Sequence, residues 1–167
     1  MDDPKWLAKA RTYVGMSEVP GPKHSPVITR WLAKLKAPFK DDETAWCGSF
    51  VGGVLEEVGL GHVKDPWGAR NWLKFGKPIA GPAVGCIVVF WRGKPSGWSG
   101  HVGFVVGKDK KGNLMVLGGN QGNKVSIAPF ATNRVLGYRW PSIAPKPERY
   151  NLPILDSSGQ PLSTNEA

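Results

Sequence analysis

Five short apolar runs dominate the second half of this 167-residue chain and constrain its fold more than any other feature. They are rich in valine and separated by turn residues, which is typical of β-strands; they read CIVVFWR, HVGFVVG, NLMVLGG, KVSIAPF and RVLGYRW. Because the runs follow one another without a helix between them, antiparallel pairing is favoured. The pattern therefore predicts a five-stranded antiparallel sheet.

The first half of the chain carries apolar residues at helical spacing instead. The spacing predicts helices beginning near Pro4, Ser25 and Thr44, and a short fourth helix over ARNWLKF. Ser25 followed by Pro26 is a typical N-cap pair. The third helix places Cys47 in its first turn, on the buried edge. Helices followed by strands predict an α+β domain, with the N-terminal helices packed on the sheet.

The length fits one domain, which we expect to span residues 1–140. Residues 141–167 are rich in proline and lack periodicity, which predicts an extended C-terminal tail. Part of this tail is expected to pack through its apolar side chains, Tyr150, Leu152, Ile154 and Leu155.

The formal net charge of +9 suggests a polyanionic partner, such as an anionic cell envelope. No nucleic-acid-binding motif is present, so nucleic acid is not expected as the partner. The N-terminal residues lack the apolar core of a signal peptide, and no run has the length of a membrane span. We therefore expect a soluble, monomeric protein that is made in the cytoplasm.

Two cysteines are too few for a disulfide framework, and Cys86 is predicted to be a small buried hydrophobe. Cys47 is different, because a helix N-terminus favours a thiolate and offers free N–H groups to an oxyanion. His101 opens a predicted strand and is the best candidate base. If the following hairpin is centred between Lys110 and Lys111, His101 lies opposite Asn120 on the same face. The three residues predict a Cys-His-Asn site.

Two other chemistries fit the sequence less well. A zinc site is disfavoured because His24, His62 and His101 lie about forty residues apart with no close ligand pair. Paired carboxylates for glycoside hydrolysis would have to come from loop residues, which in a basic protein are usually solvated: Glu18 with Asp41, Asp42 or Glu43. Each candidate catalytic residue could instead have only a structural role. Cys47 could be a packed thiol, His101 an edge-strand histidine and Asn120 a turn residue.

Four motifs in order resemble the CHAP and NlpC/P60 group of papain-like peptidoglycan hydrolases: AWCGSFV, GCIVVFWR, GHVGFVVG and VLGGNQGNKVSI. The resemblance covers about residues 5–140 and is strongest to a subfamily of phage lysis proteins and bacterial cell-wall hydrolases. It implies a papain-like fold and cleavage of peptidoglycan amide bonds without a metal or an organic cofactor. It also implies that Cys47 is the nucleophile, that His101 is the base, and that Asn120 orients the histidine.

Two features depart from the family pattern. Many members have an aspartate at the position of Cys86, and many CHAP members have an acidic residue near Gly118. The third catalytic residue therefore stays open, with Gln121 and Asp42 as further candidates.

Aromatic residues flank the motifs and are expected to line a substrate groove with Gln121; these are Trp46, Trp91 and Trp98. Trp31 and Trp72 are expected in the core. The resulting expectation is a phage endolysin, made in the host cytoplasm without a signal peptide and acting on the wall in the periplasm. The alternatives are a secreted antibacterial amidase effector, with an immunity protein as partner, and a non-catalytic module that binds cell wall or polyanions. Whether the cut bond is that of an N-acetylmuramoyl-L-alanine amidase or of a D-glutamyl-diaminopimelate endopeptidase is left open.

Overall fold

The computed structural model describes residues 2–17, 25–38 and 46–161. This part of the chain contains three α-helices: α1 (Lys5–Arg11), α2 (Pro26–Lys34) and α3 (Cys47–Glu57). The Ser25 side chain accepts a hydrogen bond from the N–H of Ile28 at 3.4 Å, so the predicted N-cap of α2 is confirmed. The predicted fourth helix is a 3-10 helix over Ala69–Lys74. Among the helices of the described segments, none has the length and apolarity that a membrane crossing requires.

The second half folds into one antiparallel sheet, and the α+β class is confirmed. All five predicted strands are present, and the sheet has a sixth, β1, at one edge. β1 was missed because its three residues, KPI, are too few to show a periodic pattern. The strand order is β1-β6-β2-β3-β4-β5, with the strands β1 (Lys77–Ile79), β2 (Ile87–Trp91), β3 (Gly100–Lys108), β4 (Leu114–Gly118), β5 (Ser126–Phe130) and β6 (Val135–Trp140).

Helix α3 packs on the sheet through a completely buried apolar face. The ring of Phe50 meets the ring of Phe104 in β3 edge-on, with 6.2 Å between centroids. Gly48 lets the first turn of α3 approach the chain at Pro66, because a Cβ at position 48 would collide with the Pro66 carbonyl oxygen. These contacts fix the start of α3 against the core of the sheet.

The β3–β4 hairpin confirms the predicted register over its inner half. Phe104 pairs with Leu117 and Val105 with Val116, so the residue numbers of each pair sum to 221 as expected. A bulge after Val105 shifts the pairing by one residue toward the turn, where Lys108 faces Leu114. Strand β4 then ends at Gly118, before it reaches the level of His101.

The segment after β6 returns along the outer end of β3. The N–H of Lys108 donates to Pro153 O at 2.9 Å, and the N–H of Leu155 donates to Lys108 O at 2.8 Å. Leu155 is buried against Gly107, whereas Tyr150 and Ile154 are largely exposed. The division of the chain at residues 140 and 141 stays a prediction.

Candidate active site

His101 lies at the start of β3 with its ring almost completely buried. Phe130 of β5 stacks on the imidazole, with 5.0 Å between ring centroids and 11° between planes. Phe90 of β2 pairs directly with His101 across the two strands. Its ring also stacks on Phe130, with 5.0 Å between ring centroids. The aromatic rings hold the imidazole plane and limit its contact with water.

Gln121 determines which nitrogen of His101 carries the proton. The Gln121 amide Nε2 donates to Ser126 O at 2.9 Å and to Val116 O at 3.1 Å, so its Oε1 is the atom turned to the histidine. His101 Nε2 lies 2.8 Å from this oxygen. Since a carbonyl oxygen only accepts, the imidazole carries its hydrogen on Nε2, and Nδ1 is left as an acceptor. The bond to Gln121 therefore fixes the orientation of the His101 ring.

Asn120 does not take the position that register alone predicted for it. Because β4 ends at Gly118, the chain turns out of the sheet and Asn120 adopts a left-handed conformation with φ of 58°. Its side chain makes no hydrogen bond to the described residues, and the bond to His101 comes from the next residue, Gln121. Gly118 makes room for this arrangement, because a Cβ there would collide with Gln121 Oε1. Of the two candidates that the structure describes, Asn120 and Gln121, only Gln121 is in contact with the ring.

Cys47 is the first residue of α3, as expected, and it lies beside the start of β3. Its pKa is raised by burial, and the residue is only 6% exposed. Three neighbours lower the Cys47 pKa: the N–H of Val102, the charge of Arg92 and the N–H of Gly48. Burial has the larger effect, so the pKa is raised overall. The expectation of a lowered thiol pKa at the helix N-terminus is therefore wrong for the free protein, since desolvation disfavours the thiolate more than the helix end favours it.

The pKa of His101 is shifted the other way, to about 4, mainly because burial disfavours the imidazolium. The hydrogen bond that His101 donates to Gln121 raises the pKa, and the positive charge of Arg92 lowers it further. At neutral pH the resting site thus holds a neutral thiol and a neutral imidazole.

This low pKa predicts a stability change between pH 7 and pH 4. The unfolded histidine takes up a proton near pH 6.5 and the folded one only near pH 4, so the stabilisation is complete above pH 6.5 and is lost as the pH falls toward 4. We expect wild type to lose roughly 3 kcal/mol more unfolding free energy over this interval than His101→Gln. Urea denaturation at both pH values measures the difference; equal losses in the two proteins would contradict it.

The tryptophans divide into buried and exposed groups. Trp46 is completely buried, so the expectation that it lines a substrate groove is wrong: its ring lies under Gly119 beside the core of the sheet. Trp98 is 90% exposed on the β2–β3 loop, three residues before His101. Trp91 alternates with Phe90 and so lies on the sheet face opposite the His101 ring, with the Arg134 guanidinium 5.3 Å from its ring centroid. Trp31 and Trp72 are buried, which confirms their core assignment.

Arg70 holds the β2–β3 loop and was missed in the sequence. Its guanidinium donates to three backbone oxygens of this loop: Lys94 O at 2.9 Å, Pro95 O at 2.7 Å and Ser99 O at 2.8 Å. An arginine in the first turn of a predicted short helix gives no signal for contacts made 24 to 29 residues away. The three bonds fix the backbone on both sides of Trp98.

We expect Arg70→Met to raise KM by roughly tenfold, with a smaller effect on kcat, because the loop around Trp98 loses its preorganisation. Trp98→Ala should raise KM similarly, and the double variant should be little worse than either single one. Steady-state kinetics on a soluble muropeptide measure these values, with Arg11→Met as the control. If the effects of the two changes on KM were fully additive, Arg70 would not act through the loop that carries Trp98.

The remaining sequence candidates are His62, Cys86 and five residues in segments that the structure does not describe. Glu18, His24, Asp41, Asp42 and Glu43 lie outside the described residues. Within residues 2–17, 25–38 and 46–161, no group of three potential metal ligands is found. His62 pairs with Glu56 on α3. Cys86 is a buried free thiol with its pKa raised by burial to about 12, which confirms it as a packing residue.

Comparison with known proteins agrees with this arrangement. The CHAP domain family model matches residues 39–120, a segment that contains both Cys47 and His101 and ends one residue before Gln121. A search of curated proteins found no match. The helices and antiparallel sheet are consistent with the papain-like fold of CHAP domains, which are typically hydrolytic. The match supports the CHAP family for this chain, and with it a cell-wall hydrolase or amidase.

Proposed function

We propose that the protein hydrolyses an amide bond in the peptide part of peptidoglycan, with Cys47 as nucleophile, His101 as general base and Gln121 as the residue that positions the base. The observation that carries the proposal is the 2.8 Å bond between His101 Nε2 and Gln121 Oε1. It leaves Nδ1 as the proton acceptor, and the Cys47 thiol lies beside the N–H of Val102, the residue that follows His101.

The reaction begins from the neutral pair. As Cys47 Sγ attacks the carbonyl carbon, its proton moves to His101 Nδ1, and the carbonyl oxygen becomes an oxyanion. The N–H groups of Cys47 and Gly48 at the start of α3, which act on the sulfur in the resting site, are the nearby donors for this charge. The imidazolium then protonates the leaving amine as the C–N bond breaks, which leaves a thioester on Cys47.

Water completes the cycle. His101 takes a proton from a water molecule that attacks the thioester carbon, and the proton returns to the sulfur as the C–S bond breaks. The products are a free carboxylate and the regenerated thiol. Because burial raises the pKa of Cys47 and lowers that of His101, the first proton transfer is coupled to substrate attack and does not precede it.

Digestion of purified sacculi tests this function. We expect mass spectrometry to find soluble muropeptides with new amine and carboxyl ends, and intact glycosidic bonds. New reducing sugar ends without new peptide ends would point to a glycosidase and contradict the proposal.

The biological role proposed is lysis of a host bacterium by a phage enzyme that is made in the host cytoplasm and acts in the periplasm. The resemblance of the four sequence motifs supports this role, and the +9 charge suits contact with an anionic envelope. A secreted amidase effector would show the same chemistry but would be blocked by a dedicated immunity protein. A non-catalytic wall-binding module would bind sacculi and release no products.

A further inference from the structure

Arg92, at the edge of the candidate site, is a cation without an anionic partner among the described residues. It follows directly after β2 and is exposed, and its Nη2 lies 3.5 Å from His101 Nδ1. None of the ion pairs in the described segments involves it. Arg70, by comparison, uses its donors on three backbone oxygens. Most of the Arg92 donors are therefore free to bind a ligand.

The contact with His101 does not neutralise this charge. A neutral imidazole nitrogen accepts one hydrogen bond and carries no negative charge. The residue on the other side of the ring is Gln121, which is also neutral. A single positive charge thus stands uncompensated beside both Cys47 and His101, close to where a substrate carbonyl must lie for attack.

The ligand that best fits a free guanidinium is a carboxylate. The planar fork of arginine binds the two carboxylate oxygens together, and this charge-assisted pair is stronger than a neutral hydrogen bond. In peptidoglycan, a glutamyl residue that is joined through its γ-carboxyl keeps a free α-carboxylate. This group lies on the carbon bonded to the residue's own amide nitrogen, two methylene groups from the carbonyl of its γ-amide bond. The amide between the sugar lactyl group and the first stem residue has no carboxylate on either flanking group.

We propose that Arg92 binds a free carboxylate on the residue that flanks the scissile amide, so that the protein prefers a bond between stem-peptide residues over the sugar–peptide amide. This inference rests on the proposed hydrolase function and narrows its substrate. Binding of the carboxylate also draws the guanidinium away from Nδ1, which then accepts the thiol proton.

A matched pair of substrates tests the inference. One is a disaccharide tripeptide of alanine, γ-linked glutamate and diaminopimelate with the diaminopimelate carboxyl groups amidated and the glutamyl α-carboxylate free; the other has the glutamyl group amidated as well. We expect wild type to cleave the carboxylate form with kcat/KM higher by roughly 10- to 100-fold, and at the glutamyl–diaminopimelate bond. Arg92→Gln should reduce the ratio toward one, and Arg92→Lys should give an intermediate ratio. Arg134→Gln, which removes an exposed arginine on the other sheet face, should keep the wild-type ratio.

The possible results distinguish a failure of the Arg92 proposal from a failure of the proposed hydrolase function. Equal cleavage of the two substrates by wild type, cleavage only at the sugar–peptide amide, or an undiminished preference in Arg92→Gln would overturn the role of Arg92 and leave the hydrolase intact. Release of muropeptides from sacculi without cleavage of either substrate would likewise overturn the role of Arg92 and leave the hydrolase function intact. Absence of all cleavage, from sacculi as well, would overturn both.

Discussion

Replacing Cys47 with alanine is expected to reduce muropeptide release from sacculi at least about a thousandfold, because the proposed covalent intermediate forms on its sulfur. The change removes one sulfur atom from the first turn of α3 and keeps the helix-forming character of the site. Binding to sacculi, measured by co-sedimentation, should therefore persist. Quantitative mass spectrometry of the soluble products measures the loss.

Cys86 supplies the matched control within the same chain. It is also a buried free thiol, but it lies before β2 and its sulfur accepts the N–H of Ala83. Cys86→Ala should keep most of the wild-type activity while it lowers the thermal stability modestly. If Cys47→Ala released products at the wild-type rate, the thiol mechanism would be refuted; if wild type released none while it still bound the wall, the binding-module alternative would gain support.

The second large effect concerns Gln121. Gln121→Met keeps the length of the side chain but leaves the Nε2–H of His101 without an acceptor in a buried position. An unsatisfied buried donor costs about 1–3 kcal/mol, and a ring free to turn misplaces Nδ1, so we expect kcat to fall roughly 100-fold with little change in KM. Since the bond to Gln121 raises the pKa of His101, its loss should also move the acid limb of the pH–activity profile to lower pH.

Asn120→Gly is the control for this experiment. Glycine accepts the left-handed backbone at position 120 without strain, so the variant removes only the side-chain amide. Its activity should stay within about twofold of wild type. A loss in Asn120→Gly equal to that in Gln121→Met would restore Asn120 as the third member of the site, and an unshifted acid limb in Gln121→Met would show a purely structural role for Gln121.

Local patterns predicted the framework of the site well. The valine-rich runs identified five of the six strands, the spacing of apolar residues placed Cys47 at the start of α3, and the polar turn at Lys110 and Lys111 gave the correct inner register of β3 and β4. These features depend on neighbouring residues in the chain, and a sequence displays them directly.

Features that depend on distant contacts were predicted poorly. Because β4 ends at Gly118, Gln121 and not Asn120 contacts His101, a shift that strand register cannot reveal. The burial of Trp46 and the raised pKa of Cys47 arise from packing of α3 on the sheet. Arg70 acts on a loop that lies far from it along the chain.

The return of the C-terminal segment to Lys108 has a practical meaning for protein engineering. Lys108 is seven residues along β3 from His101, so its contact with Leu155 is about 23 Å from the reactive ring. A targeting module or affinity label joined behind residue 161 would begin from the end of the sheet remote from the thiol. Such fusions should keep full turnover, whereas insertions into the loop that carries Trp98 should not.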